Sequence, residues 1–140
     1  MPLPLPDPAP EHSGTTGSVR IIIVEDDGLL AEYFAELLTG MGHTVCAIAA
    51  TEADAVAGAQ AFHPDLMIVD GQLREGSGVS AMKRILQHRD VAHFYVTGNP
   101  WSLREHVPDA VIVTKPFRLR ELERAIATAI EDQRQRQSNT

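Results

Sequence analysis

Short apolar runs, each ended abruptly by polar residues, recur along the chain. Ile21 to Val24 precede Glu25, Asp26 and Asp27; Leu66 to Val69 precede Asp70; Phe94 to Val96 precede Thr97; and Val111 to Val113 come shortly before Lys115. Runs this short and this rich in β-branched residues read as strands rather than helices. A strand apolar on both faces needs cover on both sides, which a parallel sheet between helices provides. The first polar residue after each run then sits where the strand leaves the core, at its C-terminal edge. Asp70, reached through HPDLMIVDGQ with a turn at Pro64 and Asp65, stands at the centre of this pattern. Thr44 to Ala49 adds another strand, so five alternate with helical stretches.

Between the strands the apolar period lengthens to that of a helix. Leu30, Phe34, Leu37, Leu38 and Met41 predict a helix over residues 27 to 40, with Gly40 and Gly42 as its stop. Thr51, followed three residues later by Asp54, resembles an N-cap for an Ala-rich helix to Ala61. A helix from about Val79 to Gln87 presents Val79, Met82, Ile85 and Leu86 for packing. Residues 98 to 110, bounded by Pro100 and Pro108, leave room only for a short helix. The last helix begins after Pro116 and runs to about Gln133, with Leu119, Leu122, Ile126, Ala129 and Ile130 facing the sheet.

Composition narrows the picture. A chain of 140 residues, 44% hydrophobic and 22% charged, has the size and balance of one soluble globular domain. Its net charge of -7 argues against direct nucleic-acid binding, which needs clustered Lys and Arg. No apolar run approaches a membrane span and no signal segment opens the chain, so a cytoplasmic protein without membrane contact is expected. Cys46, the only cysteine, excludes an internal disulfide and reads as a small filler of the second strand. Residues 1 to 18, with prolines at 2, 4, 6, 8 and 10, predict a disordered Pro-rich leader; an extended docking peptide is the other reading. Residues 133 to 140 are polar and expected to fray.

The chemistry lies at the strand ends. In an open α/β sheet the C-terminal ends of parallel strands share one edge, where ligands bind. Several acids, a hydroxyl and one amine therefore converge there. Two carboxylates a few ångströms apart repel by about 4 kcal/mol at an effective dielectric of 20, and Lys115 offsets only one charge. A divalent cation resolves this, and an all-oxygen site suits Mg²⁺ better than zinc. After Asp70, Gly71, Gly76 and Gly78 allow unusual backbone angles close to a ligand. The histidines at 12, 43, 63, 88, 93 and 106 have no metal-ligand spacing and read as structural or surface residues.

The acidic pair in IIIVEDD, the aspartate in PDLMIVD, the threonine in YVTGN and the lysine in VTKPF, in that order, resemble the receiver domain of two-component response regulators. The resemblance covers about residues 19 to 132. It implies a flavodoxin-like doubly wound parallel sheet in the order 2-1-3-4-5, here with a shortened fourth helix. It also implies a phosphoacceptor, Asp70, that takes a phosphoryl group from a histidine kinase or phosphotransfer protein. By the same resemblance Asp26 and Asp70 bind Mg²⁺ directly, Glu25 acts mainly through water, and the Gln72 backbone carbonyl contributes. Thr97 and Lys115 would bind the phosphoryl oxygens, and Lys115–Pro116 would be cis. The protein would not be an enzyme in its own right but would catalyse its own phosphorylation and dephosphorylation. It would signal to a downstream protein, with a homodimer through the final helix as a further option.

Three features depart from the family pattern. Ile112 stands three positions before the lysine, where receivers usually carry Tyr or Phe. Tyr95 and Trp101 could supply rings from another direction, with Gly98 and Asn99 as a hinge between Thr97 and Trp101. YVTGN resembles a subgroup of stand-alone receivers with an aromatic-x-Thr-Gly motif, and Arg74 stands where many receivers have proline. Two other functions remain open: a pseudo-receiver that only binds partners, and a phosphohydrolase resembling haloacid dehalogenases. The latter family carries a second aspartate two residues after its nucleophile, where this chain has Gln72.

Overall fold

The computed structural model describes residues 17–139. At its centre lies β3 (Leu66–Asp70), buried along its whole length. Beside it run β1 (Arg20–Val24), β2 (Thr44–Ala49), β4 (Ala92–Thr97) and β5 (Ile112–Thr114), all parallel, in the order β2-β1-β3-β4-β5. This is the flavodoxin-like order expected above. Alternation along β1 sends Ile21 and Ile23 to one face of the sheet and Ile22 and Val24 to the other.

Each face has its own cover. α1 (Gly28–Gly40) and α5 (Leu119–Ser138) close the first with Ala31, Phe34, Leu38, Leu122, Ala125, Ile126 and Ala129. α2 (Glu52–Phe62), α3 (Gly78–Leu86) and α4 (Pro100–His106) close the second with Ala55, Ala59, Ala81, Met82, Ile85 and Leu103. The small residues of α2 let it lie close, so that a Cβ at Gly58 would stand 3.4 Å from Ile22 Cδ1. Burying each large aliphatic chain is worth about 1.5–3 kcal/mol. Leu66, Met67, Ile68 and Val69, all buried, therefore anchor Asp70 to the most firmly held strand of the sheet.

Several elements differ from the sequence expectation. α5 does not stop near Gln133 but continues to Ser138, its polar end held by one contact from outside the helix and one within it. The Arg136 guanidinium donates to both carboxylate oxygens of Asp90, Nε to Oδ2 at 3.2 Å and Nη2 to Oδ1 at 2.9 Å, and Arg134 pairs with Glu131 at 2.8 Å. Leu119 and Leu86, expected in the core, are 47% and 37% exposed. β4 starts at Ala92 rather than Phe94, since His93 is accommodated in the strand with its ring edge-on to Tyr95 at 5.8 Å. The leader expected over residues 1 to 18 lies outside the described residues except for Gly17 and Ser18. Among the described residues, no helix is long and apolar enough to cross a membrane.

Candidate functional site

The strand ends deliver the expected side chains to one place. β1 hands over to Glu25, which is buried, and Asp26, which is half-buried. β3 ends in Asp70, also buried. Carboxylate oxygens of Glu25, Asp26 and Asp70 all lie within 4.8 Å of one another. Lys115, just beyond β5, brings its Nζ to 3.4 Å from Asp70 Oδ2 and 3.6 Å from Glu25 Oε1. Its own amide donates to the Thr97 carbonyl at 2.8 Å, tying it to the end of β4, and the Lys115–Pro116 bond is cis.

Local chemistry explains each placement. Asp27, the third acid of the run, is not part of the cluster; its Oδ1 accepts from Leu29 N at 3.1 Å and Leu30 N at 3.2 Å and so caps α1. Asp70 Oδ1 accepts from Gln72 N at 2.9 Å, which orients the carboxylate. Asp26 Oδ2 accepts from the Arg74 amide, and the exposed Arg74 guanidinium stands 4.0 Å away. Gly78 serves close approach rather than an unusual angle. A Cβ there would fall 2.2 Å from the Asp70 carbonyl oxygen, so the start of α3 presses directly on the end of β3. Of the three loop glycines only Gly76, with φ of +82°, uses the left-handed region.

The electrostatics are strained at Glu25. Burial pushes its carboxyl up to about 7; the neighbouring Asp70 carboxylate adds to the rise, while the Asp27 amide and Lys115 work against it. Its Oε1 is a buried oxygen with no hydrogen-bond partner among the described residues. A buried carboxylate oxygen that accepts no hydrogen bond, in an all-oxygen cluster that one lysine does not neutralise, is the donor set a hard cation such as Mg²⁺ requires, so the residues present fit that ion.

The remaining expected residues separate into two groups. Thr97 is buried, and its hydroxyl accepts from Asn99 N at 3.0 Å. Asn99 in turn caps α4, accepting from Ser102 N at 3.3 Å, and Gly98 is exposed between them. A cavity of about 350 Å³ lies between α3 and α4, with Gly71, Gln72, Thr97 and Asn99 in its wall. Tyr95 and Ile112 face each other across β4 and β5. Tyr95 is buried and its hydroxyl is pushed up to about 12 by desolvation. Trp101 does not cap the core: it is 83% exposed, and Leu103 fills the position beneath α4 instead.

The profile of the response regulator receiver domain matches residues 21–127. The chain belongs to this family. It is 29% identical to the phyllosphere-induced regulator PhyR of Methylorubrum extorquens over 90% of this chain and 49% of that protein. Among solved structures, this receiver superimposes on the PhyR receiver domain of Erythrobacter litoralis with a TM-score of 0.75 and 30% identity, over 82% of this chain and 92% of that one. The anti-anti-sigma factor PhyR of Bartonella quintana gives a TM-score of 0.75 at 27% identity, over 87% of this chain and 51% of that one. The chain thus spans about half the length of the curated PhyR it matches.

One residue that holds the loop after Asp70 in this receiver escaped the sequence reading. Glu52, at the start of α2, accepts hydrogen bonds from Ser77 N at 3.1 Å and Ser80 Oγ at 2.6 Å across the loop that follows Asp70. No local pattern distinguishes it from an ordinary first-turn acid, because its partners lie 25 and 28 residues away.

Proposed function

We propose that Asp70 accepts a phosphoryl group from the phosphohistidine of a histidine kinase or phosphotransfer protein, and that the phosphorylated receiver signals by binding a protein target. The observation that carries this reading is the meeting of Asp70 with Lys115 at 3.4 Å inside a cluster of three carboxylates. An Asp70 carboxylate oxygen attacks phosphorus and a P–O bond forms. The P–N bond to the donor imidazole breaks, leaving its electron pair on the ring nitrogen. Lys115 Nζ binds one transferred oxygen and the Thr97 hydroxyl donates to another, so that charge is met as it develops.

Asp26 and Asp70 would hold Mg²⁺ directly, with Glu25 acting mainly through water and Gln72 offering its backbone carbonyl; the ion supplies charge neutralisation between these acids and the phosphoryl oxygens. The chain then acts as a phosphoacceptor that assists its own phosphorylation and dephosphorylation, in the cytoplasm. The description of the Bartonella quintana protein as an anti-anti-sigma factor supports a protein target, as does the net charge of -7. A second reading, an unphosphorylated pseudo-receiver, is favoured by Ile112 in the usual place of an aromatic.

Incubation with Mg²⁺ and acetyl phosphate separates the two. Intact-mass spectrometry is expected to find one added phosphoryl group in the wild type and none in Asp70→Asn, whose amide is nearly isosteric but not nucleophilic. An unlabelled wild type favours the pseudo-receiver, and a labelled Asp70→Asn removes the assignment of the acceptor.

A further inference from the structure

The loop from Gly71 to Ser77 carries two groups of the proposed site. Gln72 N orients the Asp70 carboxylate at 2.9 Å, and the Gln72 carbonyl is the backbone oxygen offered to a cation. The loop closes on itself through a β-bridge between Gln72 and Ser77, so whatever holds Ser77 also holds Gln72. Glu52 does this from another helix. Its Oε1 accepts from Ser77 N at 3.1 Å, and its Oε2 accepts from Ser80 Oγ at 2.6 Å and Arg84 Nη1 at 3.2 Å. Its own amide donates to the Glu75 carbonyl at 3.2 Å. Gly76 lies so near that a Cβ on it would stand 2.5 Å from the Glu52 side chain. These bonds hold the Glu52 carboxyl below the usual carboxylate range, the Ser80 hydroxyl first, then the Ser77 amide, with Arg84 adding to them.

We propose that Glu52 is a positioning residue for the phosphorylation site, fixing Ser77 and through it the Gln72 amide and carbonyl that serve Asp70 and the cation. The proposal rests on the reading of Glu25, Asp26 and Asp70 as a Mg²⁺ site. A residue that only capped α3 would add stability and leave metal affinity alone. A residue that positions a ligand loop changes affinity as well, and outer partners of metal ligands typically account for about 10- to 100-fold.

The test titrates the full chain with Mn²⁺, read directly by electron paramagnetic resonance, and measures the melting temperature without metal in parallel. Glu52→Ala is expected to weaken Mn²⁺ binding by about 10-fold. Glu52→Gln, which keeps an acceptor oxygen but a weaker one, is expected to lose a few-fold only. A folded Glu52→Ala with wild-type Mn²⁺ affinity and a lowered melting temperature overturns the proposal and leaves Glu52 a structural cap. Should Glu52→Ala not fold, unchanged affinity in Glu52→Gln overturns it equally. A wild type that binds no Mn²⁺ refutes the metal site itself, an outcome distinct from equal binding by wild type and variant.

Discussion

Leu103 of α4 lies closely over Gly71, the residue after Asp70: a Cβ on Gly71 would stand 3.1 Å from Leu103 Cδ2, tight enough that the leucine would have to give way. The short helix therefore rests on the acceptor loop directly, as well as being joined to β4 through Thr97 and Asn99. Leu103 is the one buried residue of this seven-residue element. Truncating it, Leu103→Ala, should cost about 2–3 kcal/mol, at the low end for a buried leucine because a short helix relaxes into the space. Urea denaturation should give a lower midpoint with an unchanged slope. Amide exchange in residues 99 to 107 should rise by more than global destabilisation requires, and uniform acceleration across the domain would show that α4 is not separately held.

Glu25 sets a pH dependence on the metal-free protein. Its folded-state pKa of about 7 lies above the ordinary 4.5, so the native state binds more protons than the unfolded state between these values. Stability must then fall as pH rises from about 4.5 to 7 and level off above. At about 1.4 kcal/mol per unit, the effect has a ceiling of roughly 3.5 kcal/mol. Glu25→Gln should remove this slope and leave the variant more stable than wild type at pH 8 without metal. A slope identical in both proteins assigns the titration elsewhere.

The acid cluster predicts stabilisation by a cation. Mg²⁺ held by the folded arrangement and not by the dispersed unfolded acids would add about 2.7 kcal/mol by mass action at 100 times its dissociation constant. Asp26→Ala should abolish that response, and by removing one of three mutually repelling carboxylates it should raise the melting temperature of the metal-free protein. Differential scanning calorimetry with Mg²⁺ and with EDTA reads both effects. A melting temperature indifferent to Mg²⁺ in the wild type removes the site.

The sheet and the acid cluster were legible because both follow from contiguous signals. A fully apolar run such as Leu66 to Val69 fits only a strand buried on both faces, and the polar residue ending it can emerge only at the sheet edge. What was not legible depends on distant partners. The outside contact on the end of α5 needs Asp90, which is 46 residues from Arg136, and the role of Glu52 needs Ser77 and Ser80. Leu119 and Trp101 have core-like chemistry, but their places on the helices turn them outward. Asp27 stands beside two cluster acids in the sequence, and the amides of Leu29 and Leu30 show that it caps α1 instead of joining them.

The last prediction concerns how phosphorylation reaches the surface without an aromatic at Ile112. Tyr95 is a poor substitute, since it is buried against Ile112 and His93 and its hydroxyl is strongly desolvated. Thr97 has a more direct connection. Its hydroxyl oxygen accepts from Asn99 N at 3.0 Å, and Asn99 is the cap of α4. Turning that hydroxyl toward a phosphoryl oxygen makes a charge-assisted hydrogen bond at the expense of the Asn99 contact. That frees the backbone amide of the residue whose side chain caps α4, and the seven-residue helix that follows has few internal hydrogen bonds to resist displacement and borders a cavity of about 350 Å³ into which it can shift. Binding of beryllofluoride with Mg²⁺ should therefore change amide exchange at residues 99 to 107. Trp101, exposed on that helix, should report the same event as an emission change. Thr97→Ala should suppress both responses while Asp70 is still labelled by acetyl phosphate, because the variant lacks the hydroxyl but retains the nucleophile. Exchange changes confined to residues 71 to 78, with 99 to 107 silent, would place the output in the acceptor loop and refute the route through Thr97.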